Sequence, residues 1–229
     1  MHSEGCLICG EELVYSEKKE KAVCSVCGKD FISDVRCPKG HFVCDRCHEA
    51  PAKVVIVETC LGSEIRDPIE LAIGIMKDPS VNMHGPEHHL LVGCVLATAY
   101  QNCGGDIDLP AAIIRICDRM SAVPGGVCGN YGCCGSAVSA GTFISVLTGA
   151  TPLTEGSWGM SNLMTSKCLA AIAEVGGPRC CKRDSFLTLM TASKFITEKL
   201  GVEMKCEVPT CTFHERNRQC LGKRCPFHP

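Results

Sequence analysis

The sequence predicts a mainly α protein that carries a small, metal-stapled β module at its N-terminus. Three observations point there. Paired cysteines crowd the first 50 residues, capped apolar stretches bounded by Gly and Pro fill residues 67–201, and strand-like runs nearly vanish past residue 60. The chain therefore divides into a ribbon-like module at 1–52, an all-α domain at 53–202 and a cysteine-rich tail at 203–229.

The module reads Cys6-Leu-Ile-Cys9-Gly10, then Cys24-Ser-Val-Cys27-Gly28, then Cys37-Pro-Lys-Gly-His41-Phe-Val-Cys44-Asp-Arg-Cys47-His48. A CxxC turn puts two sulphurs on one side of a tight bend at tetrahedral spacing, and the following Gly relieves the turn. Two such knuckles complete a four-cysteine site of the zinc-ribbon type. The alternation at Leu13–Tyr15 and Ala22–Val23 between them suits a β-hairpin. Cys37, His41, Cys44 and Cys47 close a second tetrahedral site, with His48 as a substitute ligand; sequential and cross-braced pairings both fit. Too few apolar side chains lie here for an independent core, so bound Zn2+ supplies the folding free energy. On this reading the module is a scaffold, with RNA or a partner enzyme as its candidate contacts. Lys18, Lys19, Lys21 and Lys29 are offset by Glu11, Glu12, Glu17 and Glu20.

Lys53-Val-Val-Ile-Val reads as a short strand, after which the pattern turns helical. Asp67-Pro68 is a cap followed by Pro in the first turn, and the helix runs to Lys77 before Asp78-Pro79. Further helices are expected from Pro86-Glu87 to about Gln101, from Asp108-Leu-Pro110 to Met120, from Cys134 to Leu147, from Leu163 to Val175, and from Phe186 to Leu200 under an Asp184 or Ser185 cap. Gly104-Gly105, Gly149, Gly176-Gly177 and Gly201 supply the stops. The tail is too short and polar to fold alone. Its Cys206, Cys211, Cys220 and Cys225 suggest a second cluster site, or a flap that lends a ligand to the centre.

There are 21 cysteines in 229 residues. The charged N-terminal stretch has no apolar leader, and the longest apolar run, Leu90–Tyr100, is too short and glycine-interrupted to span a bilayer. The expectation is a cytoplasmic protein of an anaerobe, with reduced thiols that bind metal rather than pair as disulfides. A net charge of −2 exerts no global pull towards nucleic acid or membrane, and 5% aromatics leave no base-stacking platform.

Three stretches carry candidate chemistry. Cys128, Cys133 and Cys134 lie in a glycine-rich loop that opens a helix of small residues, where free N–H groups and the positive helix end favour thiolate. That environment suits an iron–sulphur cluster, although free cysteines also serve as small buried hydrophobes. His84, Glu87, His88 and His89 surround a Gly-Pro bend at a helix start, the residue types that proton transfer or metal ligation requires. Cys180 and Cys181 open another helix, flanked by Arg179, Lys182 and Arg183, which can hold thiolate, cluster or a substrate carboxylate.

The segment GVCGNYGCCGSAVSAGTFISVLTG, followed by Cys168 and GGPRCCKRDSFLTLMTASKFI, resembles the alpha portion of iron–sulphur L-serine dehydratases over residues 125–196. That resemblance implies an all-α fold and a [4Fe–4S] cluster with one iron open to substrate. It makes Cys128, Cys133 or Cys134, Cys168, and Cys180 or Cys181 the ligand candidates. The adjacent-cysteine pairs and Pro178-Arg179 depart from the family pattern. The whole chain is also similar to an uncharacterised cysteine-rich domain family of methanogens and other anaerobes, sometimes joined to radical-SAM enzymes. The function expected is a lyase performing β-elimination on a small amino or hydroxy acid, with an open iron as Lewis acid. His84, Glu87, His88 or His89 would be the base, and Arg179 or Arg183 would hold the carboxylate. Alternatives are sulphur transfer at the same iron, or a non-catalytic zinc and iron–sulphur module that binds RNA or a partner protein.

Overall fold

The computed structural model describes residues 5–229 and is mainly helical, with one two-stranded sheet near the N-terminus. Strands β1 (Val14–Val23) and β2 (Asp30–Arg36) pair antiparallel, with Val23 opposite Asp30, Val14 opposite Arg36, and a register shift between Tyr15 and Glu20. The hairpin therefore does not close between the two knuckles, as the alternation suggested. Its turn is the second knuckle itself: Gly28 takes a left-handed φ of 69° and returns its N–H to the Cys24 carbonyl at 2.8 Å. Among the described residues before position 45, the only buried apolar side chains are Cys6, Cys24, Cys37 and Cys44. This module has no core apart from its sulphurs.

Helix α1 (Asp45–Gly62) runs unbroken through residue 52 and replaces the strand expected at Lys53–Val57. Its β-branched residues read locally as a strand. The decisive period is four: Ala52, Ile56 and Cys60 are all buried on one side, while Val54 faces outward. Helix α2 (Pro68–Met76) starts as its sequence demands, with Asp67 accepting the Ile69 and Glu70 N–H groups at 2.7 and 3.4 Å. Helices α3 (Glu87–Asn102) and α4 (Leu109–Met120) follow, the latter capped by Asp108. A single turn, α5 (Val127–Asn130), leads to α6 (Gly135–Thr148), α7 (Gly156–Val175) and α8 (Cys181–Leu200). Two short 3-10 turns, His214–Arg216 and Gly222–Arg224, are the regular elements of the tail.

Helix α3 is the axis of the domain. Every residue from Glu87 to Tyr100 is buried, and α1, α2, α4, α6 and α8 all pack on it. The small residues of α6 permit close approach on two sides. Ser139 accepts the Gly93 N–H at 2.8 Å, and a Cβ on Gly141 would collide with Thr165 of α7. Helices α7 and α8 start earlier than expected, at Gly156 and Cys181. In α8 the expected cap, Asp184, sits inside the first turn, where its carboxylate reaches back to the Cys180 N–H at 3.4 Å. That shift of a few residues places both Cys180 and Cys181 at a helix start. Among the described residues, no helix is long and apolar enough to cross a membrane.

Candidate metal centres and a buried polar centre

Two groups in the N-terminal module can each hold a metal ion: Cys6, Cys9, Cys37 and His41, and Cys24, Cys27, Cys44 and Cys47. Within each group all ligand atoms lie within 4.8 Å of one another. The pairing is cross-braced, the first knuckle joining the third pair and the second knuckle joining the fourth. It replaces the ribbon in which the two CxxCG knuckles share one ion. The physical reason is the hairpin, which carries Cys24–Cys27 away from Cys6–Cys9 at its far end. Burial raises the Cys24 and Cys37 thiols, yet backbone N–H groups outweigh it and lower both; the Cys44 and Lys39 N–H groups lie 3.4 Å from the two sulphurs. His48 belongs to neither group.

His48 turns instead to Glu87. The Glu87 carboxylate is wholly buried at the start of α3, with Oε2 3.3 Å from His48 Nδ1 and Oε1 3.7 Å from His88 Nδ1. Neither oxygen has an aligned hydrogen bond. Burial alone would raise this carboxyl, but His48 and then His88 outweigh it and hold it near 2. Burial drives His88 down to about 3, with the Lys182 ammonium adding to the effect, and Nε2 of this ring also lacks a partner. Lys182 is itself buried, donating to the Val81 carbonyl at 3.3 Å and lying over the Phe213 ring, and burial lowers it to about 8. A Cβ on Gly85 would run into the Glu87 carboxylate, so glycine is required where the bend meets this centre.

The remaining members of the histidine cluster point elsewhere. His84 Nε2 lies 3.3 Å from Asn217 Oδ1 in the tail, and His89 Nδ1 lies 3.2 Å from the Val123 carbonyl with its ring against Gly135. Sequence reasoning assigned His48 only as a substitute metal ligand and Lys182 only as a stabilising charge. The Cys47-His48 pair carried no signal that the ring would face α3.

The two cysteine pairs split. Cys134 feels the field of Cys128, and both Cys168 and Cys181 feel that of Cys134. Cys181 also feels Glu87 and faces the Gly85 N–H. The helix start does not favour free thiolate here. Burial wins, pushing Cys134 up to about 11 and Cys168 up to about 12. The Cys168 thiol points at the Thr188 carbonyl, 3.8 Å away. Cys180 faces the opposite way, into a cleft under the tail, as do Cys211, Cys220 and Cys225. Cys206 is not with them; it lies against Ser193 near Asp67. Arg179 donates to the Tyr15 hydroxyl at 2.8 Å and stacks on its ring, tying the metal module to this loop. Arg183 is spent on Asp184 at 3.0 Å and the Pro178 carbonyl at 2.9 Å. Its guanidinium lines the tail cleft and supports that loop.

Residues 56–228 match DUF5714, a family of unknown function. The chain belongs to that family. The DUF5714 match holds Glu87, His88 and Lys182, the Cys134 neighbourhood and the tail cleft, while His48 and the eight clustered ligands precede it. No curated protein and no solved structure matches the chain.

Proposed function

We propose that this protein is a zinc-braced iron–sulphur lyase acting on a small amino or hydroxy acid. The observation that carries the reading is Glu87, a fully buried carboxylate with no aligned hydrogen bond, beside Cys181, His48, His88 and Lys182. A wholly buried carboxylate whose histidine neighbours, His48 and His88 at 3.3 and 3.7 Å, make no aligned hydrogen bond demands an explanation, and such groups gather at functional sites.

Zinc suits the N-terminal groups. With Zn–S near 2.3 Å a tetrahedron has sulphur–sulphur edges of about 3.8 Å. Cys9–Cys37 and Cys27–Cys44 stand at 3.5 and 3.9 Å, and His41 Nδ1 lies 3.3 Å from Cys9 and 3.8 Å from Cys37.

The central thiols differ. Among the described residues, no three of Cys128, Cys134, Cys168 and Cys181 come within 4.8 Å of one another, so they do not form a single-ion site of the N-terminal kind. On this reading Cys128, Cys134 and Cys181 hold a [4Fe–4S] cluster, and Cys168 packs behind them. A cluster with three cysteine ligands supplies a Lewis-acidic iron to the substrate oxygen or sulphur. The Glu87 carboxylate takes the Cα proton, the Cβ–O or Cβ–S bond breaks, and the electron pair leaves with hydroxide or hydrosulphide. The enamine that remains tautomerises and takes up water to give a keto acid and ammonia. Arg179 stands at the loop edge as the cation for a substrate carboxylate.

The test is anaerobically purified protein assayed with L-serine and L-cysteine for pyruvate and for water or sulphide elimination. The expected result is turnover that Glu87→Gln abolishes while iron and acid-labile sulphide per chain stay unchanged. A wild-type protein that forms no pyruvate, and whose iron–sulphur spectrum ignores both amino acids, overturns the lyase reading.

A further inference from the structure

We propose that Cys180, Cys211, Cys220 and Cys225 hold a separate iron–sulphur cluster, ligated by four cysteines, in the cleft between α8 and the tail. All four line one cleft.

Spacing sets this cleft apart from the zinc groups. Among the described residues, no three of these sulphurs lie within 4.8 Å of one another, whereas both N-terminal groups meet that limit with all four ligands. Four thiols arranged around a cavity match a multinuclear cluster, whose ligands bind different irons, and do not match one tetrahedral ion. None of the four is in a disulfide.

The surroundings of the sulphurs point the same way. The Phe213 N–H lies 3.4 Å from Cys211 Sγ, the Gly222 N–H 3.4 Å from Cys220 Sγ, and Asn217 Nδ2 3.4 Å from Cys180 Sγ. Each donor aims at a ligand sulphur, the contact by which proteins stabilise and tune iron–sulphur centres. His84 holds Asn217 from the other side at 3.3 Å, which fixes the amide so that its NH2 meets Cys180.

A cluster also accounts for the order of the tail. From residue 203 onwards the buried side chains are Met204, Pro209, Phe213, Asn217 and Phe227, too few to offset the conformational entropy of this segment. Two turns and one long-range backbone bond, Cys211 N–H to the Phe227 carbonyl at 2.7 Å, hold its shape. Metal–sulphur bonds from three tail cysteines to α8 supply what the apolar core lacks. Phe186 and Phe227 both line the cleft and meet edge-on at 5.5 Å. With four cysteine ligands no iron is open, so this cluster binds no substrate, unlike the central one.

The test uses full-length protein purified and reconstituted without oxygen. Iron, zinc and acid-labile sulphide per chain are measured, with EPR after dithionite reduction, for wild type, Cys211→Ala/Cys225→Ala and Cys128→Ala/Cys134→Ala. The expected result is that Cys211→Ala/Cys225→Ala loses one cluster's iron, sulphide and EPR signal at unchanged zinc, and that Cys128→Ala/Cys134→Ala keeps that signal. Unchanged iron in Cys211→Ala/Cys225→Ala, or a loss of zinc instead, overturns the proposal. Asn217→Leu guards against misfolding of the cysteine variant. In the Cys128→Ala/Cys134→Ala background it is expected to retain iron and shift the cluster's reduction potential downward, and an unshifted potential counts against the site. If the central reading alone fails, Cys128→Ala/Cys134→Ala matches wild type in iron and the tail result stands.

Discussion

The N-terminal module and the helical domain solve the same problem with opposite means. In the module, the described side chains that are buried and apolar before residue 45 are all ligand cysteines, and the sheet is a single hairpin. In the helical domain, an unbroken buried helix is enclosed by five others, and its cysteines sit in a finished frame. One region gathers side chains that could hold a metal where a core would be; the other presents its sulphurs from a packed core. The difference explains the spacing. Ligands that make the fold collapse onto one ion, whereas thiols on prebuilt helix starts stay apart around a space.

The largest effect expected from this contrast is metal removal. Structural zinc contributes on the order of 10–16 kcal/mol in small modules. A strong chelator, or Cys24→Ser, should therefore unfold residues 5–44 while leaving the helical signal nearly intact. Amide exchange by NMR or mass spectrometry reads the two regions separately. A hairpin that stays protected after metal loss would erase the contrast.

A packing change should act the other way round. A Cβ on Gly135 would strike the His89 ring where α6 meets α3. Overpacking of this kind costs roughly 1–3 kcal/mol. Gly135→Ala should lower the unfolding midpoint of the helices and leave zinc per chain unchanged. A variant as stable as wild type would mean that α6 and α3 slide apart freely, and that the domain is not the rigid frame described above.

These regions also differed in how far their residues announced them. Helix starts were legible because their chemistry is local: Asp67 and Asp108 cap as their side chains dictate, and Gly149 and Gly201 end helices in left-handed conformations. The eight N-terminal ligands were legible as types, but their pairing depended on where the hairpin turned. The strand expected at Lys53–Val57 failed because β-branched residues were judged on five positions, when burial every fourth residue along α1 decides the matter. Adjacent cysteines were the hardest case. Cys180 is the extended residue before α8 and Cys181 is the first residue of the helix, so they face different neighbours, and only the start of α8 at Cys181 tells which thiol meets which. His48 was likewise opaque, because its partner lies 39 positions along the chain, on another helix.

The smallest predicted effect separates the two regions by pH. His88 is buried, its pKa falls from an ordinary 6.5 to about 3, and Lys182, Glu87 and His89 set the field around it. Above pH 6.5 neither folded nor unfolded chain protonates this ring, so its contribution is complete there. As the pH falls from 6.5 towards 3, the unfolded chain takes up a proton that the native chain refuses, and stability is lost. One proton corresponds to a slope of at most about 1.4 kcal/mol per pH unit. His88→Gln should flatten the acid limb of helical-domain stability by that amount. Acid release of metal from the N-terminal groups should be unaffected, because none of the eight ligands is altered. The measurement is denaturant unfolding of wild type and His88→Gln at a series of pH values, with zinc release followed in parallel by a chromophoric chelator. Parallel acid limbs in the two proteins would place the titrating burden elsewhere. A variant that also releases zinc at higher pH would show that the two regions are coupled through His48 and Glu87, which bridge α1 and α3 at 3.3 Å.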